Sequence, residues 1–454
     1  MEIKNKKVVV AGLGKTGLDT ALFLAGRGAD VFVTESTVSE AVRKNSLLLK
    51  DRSIKTETGG HTERFLRNAD LVVVSPGIPD ESLPVRYAIE KKIPVISEIE
   101  LAFSFSRSRK IIAITGTNGK TTTTSLTGAL FSNASLPCVV CGNIGNTFVG
   151  ELDWISPETW VIVELSSFQL EKTLNFRPFV GCLMNIAEDH FDRHPSMKEY
   201  VAAKRRLFVN QDEDDFAVFD YDDAYCREMA GKAKARRFFF SHMETLERGV
   251  YLKGKTIISN LSGTREEITE ISGTRLWGKG NEENIMASVL MGLLCGISDK
   301  DVMDRTLHDF TPLPHRLEKV AEIKGVVFIN DSKSTNPHSV INALESMEEN
   351  GNVILIMGGK NKGTPFSGVI SHMSKRVKML ILMGETKRIL ENEFKDTGIP
   401  YRIVDTMAAA VKTGLENAQA GDIVLFSPGC SSFDMFRDYK DRGNVFKKEV
   451  QSLL

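Results

Sequence analysis

Long apolar runs are missing from this chain. None approaches the roughly 20 residues that a membrane-spanning helix needs. The N-terminal residues are charged and lead straight into a strand, without the apolar core of a secretory signal. Cysteine is scarce: six residues scattered over 454 positions argue against a disulfide scaffold. Cys138-x-x-Cys141 sits in an apolar, strand-like run with no second pair nearby, so it reads as buried packing ahead of redox or zinc chemistry. An excess of charge of either sign is also lacking. Lys and Arg number 58 against 59 Asp and Glu, a formal net charge of −1. That balance gives no general pull on nucleic acid or anionic lipid, yet leaves room for a local phosphate site. Short repeats and low-complexity segments are absent too. The expectation is a cytoplasmic protein of two to three domains that binds no nucleic acid and inserts into no membrane.

What is present is concentrated at 110–122. An apolar run leads into Ile114-Thr-Gly-Thr-Asn-Gly-Lys-Thr-Thr122, which reads as a buried strand, a tight glycine turn and a helix start. Backbone N–H groups of such a turn, aided by the helix N-terminus, cradle phosphate oxygens. Lys120 would neutralise the β- and γ-phosphates, and the Thr121 hydroxyl would reach a Mg²⁺ ion. Ile114 stands where the usual first glycine would be, so the loop is a compressed form, Gly116-x-x-Gly119-Lys120-Thr121. A lone Gly-Lys-Thr is often only a turn; the strand before it and the helix-forming stretch after it favour phosphate.

The pattern elsewhere is α/β. A strand at 7–11 runs into Gly12-x-Gly14-x-x-Gly17 and an amphipathic segment, and a second strand at 30–34 ends at Glu35. That is also how a dinucleotide fingerprint looks, so an NAD-dependent oxidoreductase stays open. Strands follow at 71–75 and 95–97, then at 160–163, 180–184, 216–219 and 237–240. Residues 257–272 alternate like an antiparallel ribbon, and 282–295 reads as an amphipathic helix. Beyond the paired prolines Pro312 and Pro314, strands recur at 326–329, 353–357, 378–383 and 423–426. Three α/β domains are expected, at 1–98, 99–312 and 313–454.

Polar residues gather where these strands end, the place parallel sheets bind ligands. Glu164 could hold Mg²⁺ or simply favour a helix N-terminus. His190, among carboxylates, could ligate a metal or be a satisfied surface histidine. Lys204 by residue physics alone is a solvated helix lysine. Arg316 could clamp a phosphate. Asp331 and Lys333, Lys360 and Lys362, and the 427–432 loop complete the set. Each alone is more often turn chemistry.

Taken in order, these segments resemble the ATP-dependent Mur ligases of peptidoglycan synthesis over essentially the whole chain. Thr115-Gly-Thr-Asn-Gly-Lys-Thr121, Glu188-Asp-His-x-Asp192 and His315-Arg316 are marks of the family at large. Narrower are Glu164-Leu-Ser-Ser-Phe-Gln-Leu170, Ser75-Pro-Gly-Ile-Pro79, Ser97-Glu98-Ile-Glu100 and Ser427-Pro-Gly-Cys-Ser-Ser-Phe-Asp434, which point to the D-glutamate-adding branch. Folylpolyglutamate synthase shares the later two domains but lacks this N-terminal unit.

The resemblance implies a Rossmann-like UDP-binding domain, a central P-loop ATPase-type domain and a C-terminal Rossmann-like domain. It implies that Gly14, Lys15, Thr16 and Glu35 face the UDP part of the substrate, with Asn143 and His190 further along it. ATP would meet Gly116, Thr117, Asn118, Gly119, Lys120, Thr121 and Thr122, together with Asn284, Arg316 and Asp331. D-glutamate would meet Lys333, Thr335, Lys362, Ser432 and Tyr439. Lys204 matches a lysine carbamylated by CO₂, which with Thr121, Glu164 and His190 would share two Mg²⁺ ions. Lys120, Glu164, His190 and Lys204 would carry the chemistry. Three positions depart from the family pattern: Glu35 replaces the commoner aspartate, Gly280 a histidine and Tyr439 a phenylalanine. The implied reaction joins D-glutamate to UDP-N-acetylmuramoyl-L-alanine through an acyl phosphate, in a monomer. Another Mur-type ligase and a non-enzymatic nucleotide switch remain as alternatives.

Overall fold

A computed structural model of the protein describes residues 1–189, 193–360 and 363–454. Among the described residues the strands form three sheets, met one after another along the chain. The first has five parallel strands in the order Lys55–Thr58, Asp30–Glu35, Lys7–Ala11, Leu71–Val74, Val95–Ser97. Leu71–Val74 is buried throughout and Lys7–Ala11 nearly so, as unbroken apolar strands must be when helices cover both faces. Strand order reverses beside Lys7–Ala11, which opens a crevice above the glycine turn. That turn is tight: a Cβ on Gly17 would lie 1.9 Å from the Gly12 carbonyl oxygen.

The second sheet has nine strands. Seven run parallel, in the order Gly249–Lys253, Arg236–Ser241, Phe216–Asp220, Val180–Leu183, Ile111–Thr115, Trp160–Glu164, Cys138–Gly142. Thr256–Asn260 and Arg265–Glu270 add an antiparallel ribbon at one edge, matching the alternation of 257–272. The expected amphipathic helix is instead buried around most of its circumference. Lys279–Leu294 packs on the helix Lys120–Asn133 on one side and on the strands Phe216–Asp220 to Gly249–Lys253 on the other, so little of it faces solvent.

The third sheet runs Glu318–Ile323, Val326–Asn330, Ile423–Phe426, Val353–Gly358, Val377–Met383, Tyr401–Ile403. All its pairs are parallel except the first. Separate apolar clusters cover its two faces. The first and second sheets, by contrast, share one buried cluster. It runs from Val8, Val33 and Leu101 to Phe148, Val163 and Leu183. The six cysteines are free thiols. Among the described residues no helix is long and apolar enough to cross a membrane.

Candidate active site

The strand Ile111–Thr115 lies inside the second sheet, and its C-terminal end releases the turn that opens the helix Lys120–Asn133. The turn is pinned from below. Asn185 takes the Thr117 N–H on its carbonyl at 2.9 Å and the Asn118 N–H on its side chain at 2.8 Å. Gly119, at φ +82°, sits against the helix Lys279–Leu294, where a Cβ would come within 2.3 Å of Asn284 Oδ1. Asn284 in turn accepts from Thr123 Oγ1 at 3.0 Å. Lys120 arches back over its own loop and donates to the carbonyls of Gly116 and Thr117 at 2.9 and 2.8 Å.

Glu164 ends the neighbouring strand, 1% exposed. One carboxylate oxygen accepts from Asn143 Nδ2 at 2.7 Å. The other, Oε2, is buried with no hydrogen-bond partner among the described residues. Lys204 differs from its expectation as a solvated lysine: it is 1% exposed. Its helix, Met197–Arg205, turns Tyr200, Ala203 and Lys204 inward on one face. Lys204 Nζ donates to the Gly116 carbonyl at 2.8 Å. Burial, then the charge of Lys120, hold its proton affinity well below that of an ordinary lysine, against the pull of Asp189 and Glu164.

A cavity of about 400 Å³ opens above these groups, and residues of the third sheet close it. Arg316, Asp331, Lys333, Thr335, Ser432 and Tyr439 all line it. Asp331 accepts from Ser427 Oγ at 2.9 Å, from the Leu317 N–H at 3.2 Å and from Ser334 Oγ. Burial nonetheless pushes its pKa up to about 6. Lys333 Nζ stands 4.0 Å over the Tyr439 ring. Behind them Arg442, 2% exposed, donates to the carbonyls of Cys430 and Ser332 at 3.0 and 2.7 Å, tying the two strand-end loops together.

Among the described residues, bonds cross from the start of the helix Pro337–Glu345 to the 116–122 turn and its neighbour. Asn118 Nδ2 meets His338 Nδ1 at 2.9 Å, Ser339 Oγ donates to Asn118 Oδ1 at 2.8 Å, and Asn336 Nδ2 donates to Asp189 at 2.8 Å. Sequence reasoning missed Tyr200, His338 and Ser339. Tyr200, whose hydroxyl meets Thr117 Oγ1 at 3.1 Å, stands one helical turn before Lys204 and was the one within reach of a spacing argument.

Gly14, Lys15, Thr16 and Glu35 do not line this cavity. They surround the glycine turn of the first sheet. Lys15 Nζ donates to the Gly145 carbonyl at 2.7 Å and to Asn146 Oδ1 at 3.0 Å. The 142–147 loop therefore touches Lys15 at one end and, through Asn143, Glu164 at the other. Partial burial raises the pKa of Glu35, but N–H bonds from Leu13 and Thr37 at 2.9 and 2.8 Å outweigh it and hold the group below the usual carboxylate value. His190 and Lys362 lie outside the described residues. Among those described, no group of three or more His, Cys, Asp or Glu forms a ready metal cluster.

Known proteins share this architecture. Residues 6–97 match the Mur ligase MurD-like N-terminal domain, 114–292 the Mur ligase middle domain, and 315–430 the Mur ligase glutamate ligase domain. The chain is 40% identical over 456 residues to the UDP-N-acetylmuramoylalanine--D-glutamate ligase of Thermoanaerobacter sp. (strain X514), covering 100% of both. To the same-named protein of Geotalea uraniireducens it is 42% identical over 453 residues, covering 100% of this chain and 99% of that one. Among solved structures, the UDP-N-acetylmuramate-alanine ligase MurC of Thermotoga maritima superposes with a TM-score of 0.60 at 17% identity, covering 98% and 99% of the two chains. That likeness concerns the fold alone.

Proposed function

The chain belongs to the Mur ligase family, and on that premise we propose that it joins D-glutamate to UDP-N-acetylmuramoyl-L-alanine, converting ATP to ADP and phosphate, in cytoplasmic peptidoglycan precursor synthesis. The observation that carries the proposal is one cavity lined both by Lys120, Glu164 and Lys204, from elements packed around the second sheet, and by Arg316, Asp331 and Lys333, from loops around the third. The proposed division of labour is 1–98 for the UDP-substrate, 99–312 for ATP and 313–454 for the amino acid, within a monomer.

A carboxylate is a poor electrophile at neutral pH, so the L-alanyl carboxylate first takes the γ-phosphoryl of ATP. The backbone N–H groups of the 116–122 loop orient the phosphates, and Asn284, Arg316 and Asp331 hold the rest of the nucleotide. Lys120 leaves the carbonyls of Gly116 and Thr117 to offset the charge that builds on the transferring group. The neutral amine of D-glutamate then attacks the acyl carbon. A C–N bond forms, the C–O bond to phosphate breaks, and the amine proton passes to a base at the site. Lys333, Thr335, Ser432 and Tyr439, with Lys362, bind the glutamate carboxylates by charge-assisted bonds. Gly14, Lys15, Thr16 and Glu35 hold the UDP end, and Asn143 guides the substrate toward Glu164.

Two Mg²⁺ ions and a CO₂-derived carbamate on Lys204 belong to the proposal, and the residues fit them. Glu164 Oε2 is buried without a partner among the described residues, and the amine of Lys204 is biased toward the neutral form that CO₂ adds to. Thr121, Glu164, His190 and carbamylated Lys204 would hold the ions, which offset phosphate charge when bound.

The test is phosphate release from Mg-ATP with UDP-N-acetylmuramoyl-L-alanine and, in turn, D-glutamate, L-glutamate, D-lysine, L-lysine and meso-diaminopimelate. Release that needs both the UDP-substrate and D-glutamate supports the proposal. Release with another amino acid overturns the specificity, and release indifferent to every acceptor overturns the ligase in favour of a nucleotide switch.

A further inference from the structure

Two of the distinguishing motifs, Ser75-Pro-Gly-Ile-Pro79 and Ser97-Glu98-Ile-Glu100, take no part in the cavity. Both lie along the seam between the first sheet and the second. The helix Glu98–Phe105 follows the strand Val95–Ser97 directly. Its first turn carries two carboxylates, which the positive end of a helix favours. Neither is solvated: Glu98 and Glu100 are each 1% exposed. A carboxylate taken out of water is costly unless donors replace the water, and here the donors all come from the other side of the seam.

Glu100 accepts the backbone N–H groups of Leu174, Asn175 and Phe176 at 2.8, 2.9 and 2.9 Å, and Asn175 Nδ2 at 3.2 Å. Glu98 Oε1 accepts the Val149 N–H at 2.7 Å. Its other oxygen is buried and has no partner among the described residues. The segments held are not arbitrary. Residues 148–149 follow at once the loop that joins Lys15 to Asn143. Residues 174–176 follow the helix Ser167–Glu171, which begins three residues after Glu164. Outer bonds reinforce the seam: Lys172 to Asp80 at 2.8 Å, Arg193 to the Ile78 carbonyl at 2.8 Å, and Thr147 to Asp19 at 2.8 Å. One continuous apolar cluster underlies them.

We propose that Glu98 and Glu100 are positioning residues, a double clamp that fixes the substrate-bridging loop 142–147 and the segment after Glu164 relative to the glycine turn of the first sheet. The identity of the substrate so positioned rests on the functional reading above. The two clamps differ in their donors. Glu100 receives four N–H donors. Burial, opposed by the Val149 N–H and assisted by Asp19, brings Glu98 up to about 7, so a neutral amide is a fair replacement there.

Steady-state kinetics and amide hydrogen exchange on the full chain test the clamp. Glu100→Gln turns an amide N–H₂ onto backbone donors. It should speed exchange at 174–176 at least tenfold and raise the KM for UDP-N-acetylmuramoyl-L-alanine about tenfold, with the KM for ATP within twofold of wild type. Glu98→Gln should stay within twofold of wild type in both readouts, whereas Glu98→Ala should repeat the Glu100→Gln pattern with the faster exchange at 148–149. Should Glu100→Gln not accumulate as folded protein, Glu100→Asp, which keeps the carboxyl group but withdraws it by one methylene, is read by the same split. Faster exchange without a change in the KM for the UDP-substrate overturns the clamp, as does an equal rise in both KM values. Wild-type turnover separates the two proposals. Its absence overturns the functional reading, while normal wild-type turnover with an unchanged variant KM overturns the clamp.

Discussion

Replacing Gly119 by alanine should damage the protein in two separable ways. The residue has φ +82° and ψ −24°, a left-handed conformation that costs a side chain about 1–2 kcal/mol. The added Cβ would also lie 2.3 Å from Asn284 Oδ1. Asn284 cannot swing aside freely, because it is 5% exposed and bonded to both Thr123 and Asn281. Displacing it forfeits a buried hydrogen bond, about 1–2 kcal/mol. The sum, about 2–4 kcal/mol, corresponds to a drop of roughly 5–15 °C in Tm for a domain of this size. Gly254→Ala is the control: that residue has φ +64° and nothing within 4 Å of where a Cβ would stand, so only the backbone cost of about 1–2 kcal/mol applies. Thermal unfolding of both variants and titration with a fluorescent ATP analogue give the comparison. Gly119→Ala should melt lower than Gly254→Ala and bind the nucleotide at least tenfold more weakly. Equal melting with wild-type nucleotide affinity would refute the claim that the helix Lys279–Leu294 is packed tightly against the 116–122 turn.

Lys204→Ala should lower acceptor-dependent phosphate release at least about 100-fold, with partial recovery on adding a short carboxylic acid; activity within tenfold of wild type would remove the carbamate. The His242–Glu282 pair, 2.6 Å apart, gives a pH signature. The bond to Glu282 raises the pKa of His242 above its ordinary 6.5, so the stability it contributes is full below that value and fades as pH rises through the folded-state pKa. The Tm gap between wild type and His242→Gln should therefore be wider at pH 6 than at pH 9; an equal gap contradicts the pairing. Asn118→Ala removes the bonds to His338 and Ser339 and should loosen the third sheet from the second. Small-angle scattering should give a larger radius of gyration for the nucleotide-free variant, and unchanged scattering would show that these bonds do not hold the domains together.

Much of the fold was legible along the chain because its cause is local. The strand, turn and helix of 111–133 follow from apolar residues, two glycines and a helix-forming stretch within one window. The strand Lys55–Thr58 escaped because an edge strand with a half-solvated face reads Lys-Thr-Glu-Thr, with no apolar signal. The helix Lys279–Leu294 was visible but its surroundings were not: periodicity reports one apolar face, while burial depends on how many neighbours arrive. Lys204 shows the same limit. A lysine among Tyr200, Ala203 and Arg205 looks solvated until its helix is set against a strand end 88 residues earlier in the chain. Composition and motif spacing by themselves determined three α/β units, a tight glycine turn between a strand and a helix, and the family resemblance. Only the tertiary structure decided that Arg316, Asp331 and Lys333 meet Lys120 and Glu164 across one cavity, and that Glu98 and Glu100 are spent on the seam between sheets. Neither outcome resides in any short segment, because burial and charge pairing are set by surfaces that long-range packing brings together.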